Sequence, residues 1–502
     1  MYTVLVLSAL SVLLVQAQLE GALDSFYKER ESMIEDELAA SLGGNLTLSS
    51  REISANQILM REKYKEFDFA FQNPSHFNFS RLDMTYRNHI GKSPVYSIMK
   101  RMPKGAALHV HSSLMMDAEY MMQLTYEDDL YVCNSYGKMK LQFADGPPAL
   151  PCPTSWRLLS EVRKEPADKE RIDNILSKEF KMDYNAEDDI NKVWDRFQKA
   201  FRATKMLLLY RPVREKFFYD ALKKFYDDNI LYIEIRSGLD ELYEKNGTVH
   251  DKLYLARMYQ KVASKFASEH PDFIGVKTIL SVARKYNIKQ VRDSLSDAVK
   301  LKEEMPDFIA GFDLVGQEDL GKPLADFIPA LIEVKDKLDL YLHAGETNWF
   351  GTSSDENIVD AILLGTKRIG HGYALIKHPI LMDAVRKREI AIEVNVISNV
   401  VLNLVEDVRN HPLASYLALG LPVVLSSDDP GVWSADALSD DFYVTFMGVA
   451  SRRADIRTLK QLALNSIRYS ALSDAGKSDA LRLFNEKWDK FVDDLIESET
   501  TQ

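Results

Sequence analysis

Cysteine is nearly missing from this chain: Cys133 and Cys152 are the only two in 502 residues. They lie close together in a loop-like stretch containing "DGPPALPCP", and in an oxidising compartment such a pair closes a disulfide, the alternative being two free thiols. Positive charge is also short. The formal net charge of -12 argues against polyanionic partners such as nucleic acid and suits a neutral small substrate. Beyond the N-terminus no apolar run reaches the roughly 20 residues needed to span a bilayer, so no membrane span is expected. Internal repeats and low-complexity tracts are missing too, which removes a solenoid. What remains, 46% hydrophobic and 27% charged residues, is ordinary globular composition, in a chain long enough for one large domain or two or three smaller ones.

The N-terminus reads "MYTVLVLSALSVLLVQAQLEG". Its apolar stretch from Val4 to Val15 is too short to cross a membrane and ends in Val15-Gln16-Ala17, a small-residue cleavage pattern. Residues 1–17 therefore read as a secretory signal peptide, although the usual basic start is lacking, and the mature chain is expected to be extracellular. Secretion makes Asn45, Asn78 and Asn246 glycosylation acceptors, each opening an N-x-S/T triplet, whereas Asn73 is excluded by the proline after it.

Residues 18–104 read as a helical arm of mixed charge. Short β-rich runs then follow: "GAALHVH" (105–111), "ILYIEIRSG" (230–238), "IGVKTILS" (274–281), "FIAGFDLVG" (308–316), "LDLYLHAG" (338–345), "KRIGHGY" (367–373), "IAIEVNV" (390–396) and "LPVVLSS" (421–427). Between most of them lie amphipathic stretches such as "PLADFIPALIEVKDK", with apolar residues at helical spacing. Alternating strands and helices imply parallel βα units, and eight of them predict a (β/α)8 TIM barrel over residues 105–490. Residues 120–185, with the cysteine pair, form an insertion after the first strand.

In such a barrel the C-terminal strand ends converge on one mouth. Four of the ten histidines, His109, His111, His343 and His371, fall at strand ends on that face, with Asp428 and Asp429 at the end of the eighth strand. Singly these are modest signals. "HVH" puts two imidazoles on one side of a strand, "RIGHG" could be a histidine in a glycine loop, and "SSDDP" could open a turn. Together, three histidines and an aspartate make a nitrogen-rich site with one carboxylate that suits Zn²⁺ and leaves a position for water.

"HVH", "HAGE", "RIGHG" and "SSDDP", in that order, resemble the metal-dependent adenosine/AMP deaminases. The leader, the arm before "MPKGAALHVH", "NHIGKSPVY", the cysteine-bearing insertion and "GFDLVGQED" resemble more closely the secreted adenosine deaminase-related growth factor branch, the adenosine deaminase 2 type. The resemblance covers essentially the whole mature chain. It implies His109, His111, His343 and Asp428 as zinc ligands, Glu346 as proton donor to the purine ring and His371 as the group that orients and deprotonates water. It further implies that Asp429 contacts the purine, that Gly316 offers it a backbone contact, and that Trp194 and Phe197 form the apolar face of a substrate-covering helix in "WDRFQKAF". A core-facing amphipathic helix is the alternative there. Ser112 stands where this branch usually carries an aspartate that contacts ribose, and a serine is shorter and uncharged.

The implied reaction is hydrolytic deamination of adenosine, with 2′-deoxyadenosine as a further substrate, to inosine and ammonia. It needs water activated at neutral pH and an acid that makes the ring carbon electrophilic. The resemblance also implies a homodimer through the arm, with packing on its own barrel as the alternative, a growth-factor role, and a cell-surface receptor or glycosaminoglycan as further partner. Two other readings stay open: another purine deaminase of the same class, or a secreted binding protein on a barrel scaffold. The small cytidine-deaminase architecture is excluded, because H-x-E and P-C-x-x-C are absent.

Overall fold

The computed structural model describes residues 2–74, 90–135, 138–182 and 188–500, so Asn78 lies outside the described residues. The eight β-rich runs all form barrel strands: β1 (Gly105–His111), β2 (Ile230–Ser237), β3 (Gly275–Ala283), β4 (Ile309–Val315), β5 (Asp339–Leu340 and His343–Ala344), β6 (Arg368–His371), β7 (Ala391–Val394) and β8 (Val423–Leu425). Every neighbouring pair is parallel. Helices such as Lys252–Glu269, Ile288–Glu304 and Ser353–Leu364 return the chain between strands. The structure is thus a (β/α)8 barrel with an N-terminal helical region.

Two details depart from regular strands, and both serve the barrel mouth. β5 is broken after Leu340. Its first half pairs with β4, through Asp339 opposite Gly311, and its second half pairs with β6, through His343 opposite Gly370. Gly311 is required there, because a Cβ would stand 2.1 Å from the Asp339 carbonyl oxygen. The second departure is a bulge in β1: Ala107 faces Ile233 and Val110 faces Ile235, three steps against two. Strict alternation would send Leu108 and His109 to opposite sides. The extra residue lets Leu108 pack with Tyr232, Ala391 and Val424 while His109 meets residues of β5, β6 and β7. Closure comes from β8, where the His111 and Asp428 amides donate to Asp428 and His109 carbonyls.

After β1 the chain builds a small antiparallel sheet from Leu130–Ser135, Lys138–Phe143 and Arg157–Leu158, flanked by the helices Ala118–Leu124 and Pro166–Glu179. A Cys133–Cys152 disulfide, with Cα atoms 6.0 Å apart, ties its central strand to the following loop.

The arm divides in its contacts. Helix Ser50–Gln72 starts at Ser49 with a capping box, in which Ser49 Oγ accepts from the Glu52 amide and Glu52 Oε2 from the Ser49 amide. It buries Ala55, Leu59 and Met60, at roughly 1.5–3 kcal/mol for each large apolar side chain. Glu52 also accepts from Trp488 Nε1 at 2.9 Å and Lys460 Nζ at 2.6 Å. Much of this half of the arm is thus packed on its own chain, although Phe69 and Phe71 of "ANQILMREKYKEFDFAF" stay exposed. The preceding helix, Tyr2–Ala40, instead leaves Leu19, Phe26, Tyr27 and Met33 exposed.

Burial alone would raise the Glu52 carboxyl, but hydrogen bonds from Lys460, Ser49 and Trp488 outweigh it and hold it at about 2, below its ordinary 4.5. A depressed carboxylate contributes stability fully above its unfolded pKa and loses it as pH falls through the folded one. Acid titration should therefore loosen the arm between pH 4.5 and about 2, read by Trp488 fluorescence. Glu52→Gln should remove that transition, and a variant that still shows it would place the titrating group elsewhere.

Candidate active site

The residues singled out at the strand ends converge. Ligand-capable atoms of His109, His343 and His371, of His109, His111 and Asp428, and of Glu346, His371 and Asp428 form three overlapping groups, each with its atoms within 4.8 Å of one another. His109 and His111 come from β1, His343 from β5, His371 from the end of β6, and Asp428 and Asp429 follow β8. Gly370 in "RIGHG" is part of β6, not of a loop. A Cβ there would lie 3.2 Å from His109 Cε1 and 3.1 Å from His343 Cα, so glycine makes room for two imidazoles. His371 and Asp428 both hold left-handed backbone, φ 62° and 58°, which costs on the order of 1–3 kcal/mol at a non-glycine residue.

Each imidazole is aimed from behind. His109 Nδ1 is 2.7 Å from Glu393 Oε2, and His343 Nδ1 is 2.6 Å from Asp313 Oδ2. With Nδ1 occupied by a carboxylate, Nε2 is left to face the site. Arg236 donates to both carboxylates, to Asp313 at 2.7 Å and Glu393 at 2.6 Å, and Arg368 donates to Glu393 at 2.6 Å. Burial would raise Asp313 and Glu393, but the neighbouring imidazoles and arginines prevail and keep both ionised. Burial pushes the His343 imidazole down to about 4, and that of His371 well below its ordinary value, which favours the neutral form with a ring nitrogen lone pair.

Inside the cluster, polar atoms stand unsatisfied. Nε2 of His109 and Oδ1 of Asp428 are buried without a hydrogen-bond partner, although Nε2 of His111 is 3.2 Å from that oxygen. Ser398 Oγ donates to the other Asp428 oxygen at 2.7 Å and fixes the carboxylate. Leaving such atoms unpaired is costly, and a divalent cation is the group that three imidazoles and a carboxylate fit. His109, His111, His343 and Asp428 would hold it.

Glu346 lies beside this cluster. Gly345 has φ 80°, and its amide donates to Glu318 Oε2 at 3.1 Å while the Glu346 amide donates to Glu318 Oε1 at 3.0 Å. Glu318 therefore pins the turn that presents Glu346. The Glu346 side chain has Oε1 without a partner and 3.5 Å from His371 Nδ1. Burial, then the charges of Asp428 and Glu318, push its carboxyl well above the ordinary range, which favours the protonated form. Asp429 is raised by burial and by Asp428, and its Oδ1 is also unpartnered.

The other expected residues are placed as follows. Helix Ile190–Leu208, capped by Asp189, buries Val193, Trp194, Phe197 and Ala200 on one stripe, and the Phe197 ring stacks with Trp433, four residues past Asp429, at 6.4 Å. The helix thus packs against the β8 loop. Gly316, φ 101°, follows β4 with open space where a Cβ would be. Ser112 is buried, and its hydroxyl accepts from Arg214 at 3.2 Å. Asn45 and Asn246 are exposed. Sequence reading missed Asp313, Glu318, Glu393, Ser398 and Arg236. Charged residues inside otherwise apolar strand runs, as in "GFDLVG", "IAIEVNV" and "YIEIRS", were the available signal.

Glu393→Gln should weaken divalent-metal binding by about 10- to 100-fold, the usual effect of losing the carboxylate behind a metal-binding imidazole, and Asp313→Asn should do the same through His343. Chelator competition measures this. Unchanged affinity in both would show that neither carboxylate sets its imidazole.

Comparisons with known proteins agree with this geometry. Residues 170–486 match the family described as Adenosine deaminase, and residues 4–99 match Adenosine/AMP deaminase N-terminal. Adenosine deaminase 2 of Homo sapiens is 40% identical over 489 residues, covering 95% of each chain. Adenosine deaminase 2-A of Danio rerio is 40% identical over 477 residues, covering 93% of each. Among solved structures, an amidohydrolase from Burkholderia ambifaria with bound zinc has the same fold, with a TM-score of 0.53 and 18% identity over 80% of this chain and 94% of its own. Matched along nearly its whole length, with the histidine and aspartate cluster in place at the barrel mouth, the chain belongs to the adenosine deaminase family, adenosine deaminase 2 type.

Proposed function

We propose that the protein is a secreted, zinc-dependent adenosine deaminase that hydrolyses adenosine, and 2′-deoxyadenosine, to inosine and ammonia. The observation that carries this reading is a buried Glu346 with an unpartnered Oε1 beside a cluster in which His109 Nε2 and Asp428 Oδ1 also lack partners. Zinc, when bound, makes water acidic enough to attack at neutral pH. Glu346 gives its proton to a purine ring nitrogen, which draws electrons from the carbon bearing the amine. His371, neutral and next to Asp428, takes the proton that the attacking water loses. Asp429 binds the purine edge, Gly316 offers a backbone contact, and Trp194 and Phe197 on their helix keep solvent out. Ser112 is the group nearest in sequence to the metal pair that could meet ribose. The relatives named adenosine deaminase 2 favour adenosine over adenine or a nucleotide.

Glu346→Gln should retain zinc by elemental analysis and lose kcat by on the order of 10²–10⁴-fold, the range for a general acid. Turnover near that of the parent would remove Glu346 from the chemistry. Asp428→Ala, in contrast, should lower zinc content and activity together, and full zinc occupancy would take Asp428 out of the ligand set.

The leader-like residues 1–17, the disulfide and the exposed Asn45 and Asn246 favour an extracellular glycoprotein, and no helix among the described residues is long and apolar enough to cross a membrane. A growth-factor role, with a receptor or glycosaminoglycan as partner, rests on the resemblance alone. Homodimerisation fits the first arm helix, whose exposed Leu19, Phe26, Tyr27 and Met33 need a cover that a two-fold copy would supply. Phe26→Glu combined with Leu19→Glu should yield an active monomer by light scattering, and a variant that stays dimeric would move the contact elsewhere.

A further inference from the structure

The N-terminal end of the barrel, opposite the metal cluster, holds a cavity of about 320 Å³ for which deamination has no use. Its walls include Asp339 and Tyr341 of the broken β5, Lys367 just before β6, Lys302 of helix Ile288–Glu304, Arg468, and Lys477 of helix Asp474–Thr500. Four cations around one carboxylate are unexpected in a chain of net charge -12. Two of the four are already answered. Lys367 pairs with Asp339 at 3.3 Å, and Arg468 reaches Glu389 at 2.5 Å.

The other two are not. Lys302 Nζ donates to the carbonyl oxygens of Pro306 and Ile309, at 3.0 and 2.7 Å, and forms no ion pair among the described residues. Burial, then the charge of Lys277, lowers its pKa against the opposing pull of Asp339 and Asp307, neither of which reaches ion-pair distance. Lys477 has no acidic partner among the described residues. Ammonium groups with free donors in a concave, partly desolvated site concentrate positive potential and favour compact oxyanions. The volume falls at the lower end of small-molecule sites, roughly 300–1,000 Å³, and suits a compact ligand better than an extended polymer. Tyr341, 3% exposed, and the half-buried Tyr469 supply aromatic wall.

We propose that this cavity binds a phosphate-bearing small molecule, with its anionic oxygens on Lys302 and Lys477 and its body against Tyr341 and Tyr469. The site is separate from the deaminase centre and does not depend on the reading of that centre. Calorimetric titration of the intact, zinc-loaded protein with inorganic phosphate and with uridine 5′-diphosphate tests it, the pyrimidine being chosen to avoid a purine site. Saturable binding of one equivalent is expected, weakened about 10-fold or more by Lys477→Glu, the loss of one charge-assisted contact, with adenosine turnover unchanged. Lys302→Met should act in the same direction. Should its lost carbonyl contacts prevent folding, Lys477→Glu decides alone, because that side chain has no partner among the described residues to lose. Absence of saturable binding at millimolar probe, or binding that Lys477→Glu leaves intact, would overturn the proposal. Binding of a heparin-derived oligosaccharide but of neither phosphate compound would overturn it too, by making the cavity part of a polyanion surface.

Discussion

Two carboxylates inside the barrel, Glu393 and Asp313, hold the rest in place. Each grips one imidazole and one edge of Arg236, and Glu393 takes Arg368 as well. Arg368 in turn pairs with Glu234. Buried charges are tolerable only when each is paired and hydrogen-bonded, because removing one partner strands the other in low dielectric, at a cost of about 3–5 kcal/mol. The network lies directly below the metal cluster and above an apolar plug of Leu108, Tyr232, Ala391 and Val424. A TIM barrel ordinarily fills this space with branched aliphatic side chains. Here the filling is ionic, and its hydrogen bonds hold the imidazoles it supports at fixed angles.

That arrangement explains which sequence signals were easy to read. Strand runs separated by helical stretches gave the barrel, because side-chain period alone separates the two kinds of segment. The four strand-end histidines and Asp428 were legible because histidine is rare in the chain and the barrel's geometry names one functional end. The β1 bulge was not legible. "GAALHVH" alternates plausibly without it, and only the register against β2 reveals that Leu108 and His109 share the interior. The break in β5 was likewise hidden in a continuous apolar run. Glu318 was out of reach for another reason. It acts on "HAGE" from 25 residues or more away in sequence, through backbone amides that any residue type would present.

The arm shows the limit of periodicity. Apolar residues at helical spacing require a cover, but spacing does not say whose. For Ser50–Gln72 the answer lies in specific polar contacts, Glu52 with Trp488 and Lys460, that bind it to the C-terminal helix of its own chain. For Tyr2–Ala40, Phe26 and Met33 stay exposed on their own chain.

The partner switch in β5 has a mechanical meaning. It divides the wall into two half-shells, β1 to the first half of β5, and the second half of β5 to β8. They are joined at two places: residues 340–342, where the Tyr341 amide donates to Phe312 and the Lys367 and Gly370 amides to Leu340 and Leu342, and the backbone bonds that Asp428 exchanges with His109 and His111. His109 and His111 belong to one shell, His343 and Asp428 to the other, with His343 at the first junction and Asp428 at the second. An ion gripped by all four would rivet the shells together, so that cohesion of the wall and retention of the ion become one thermodynamic quantity.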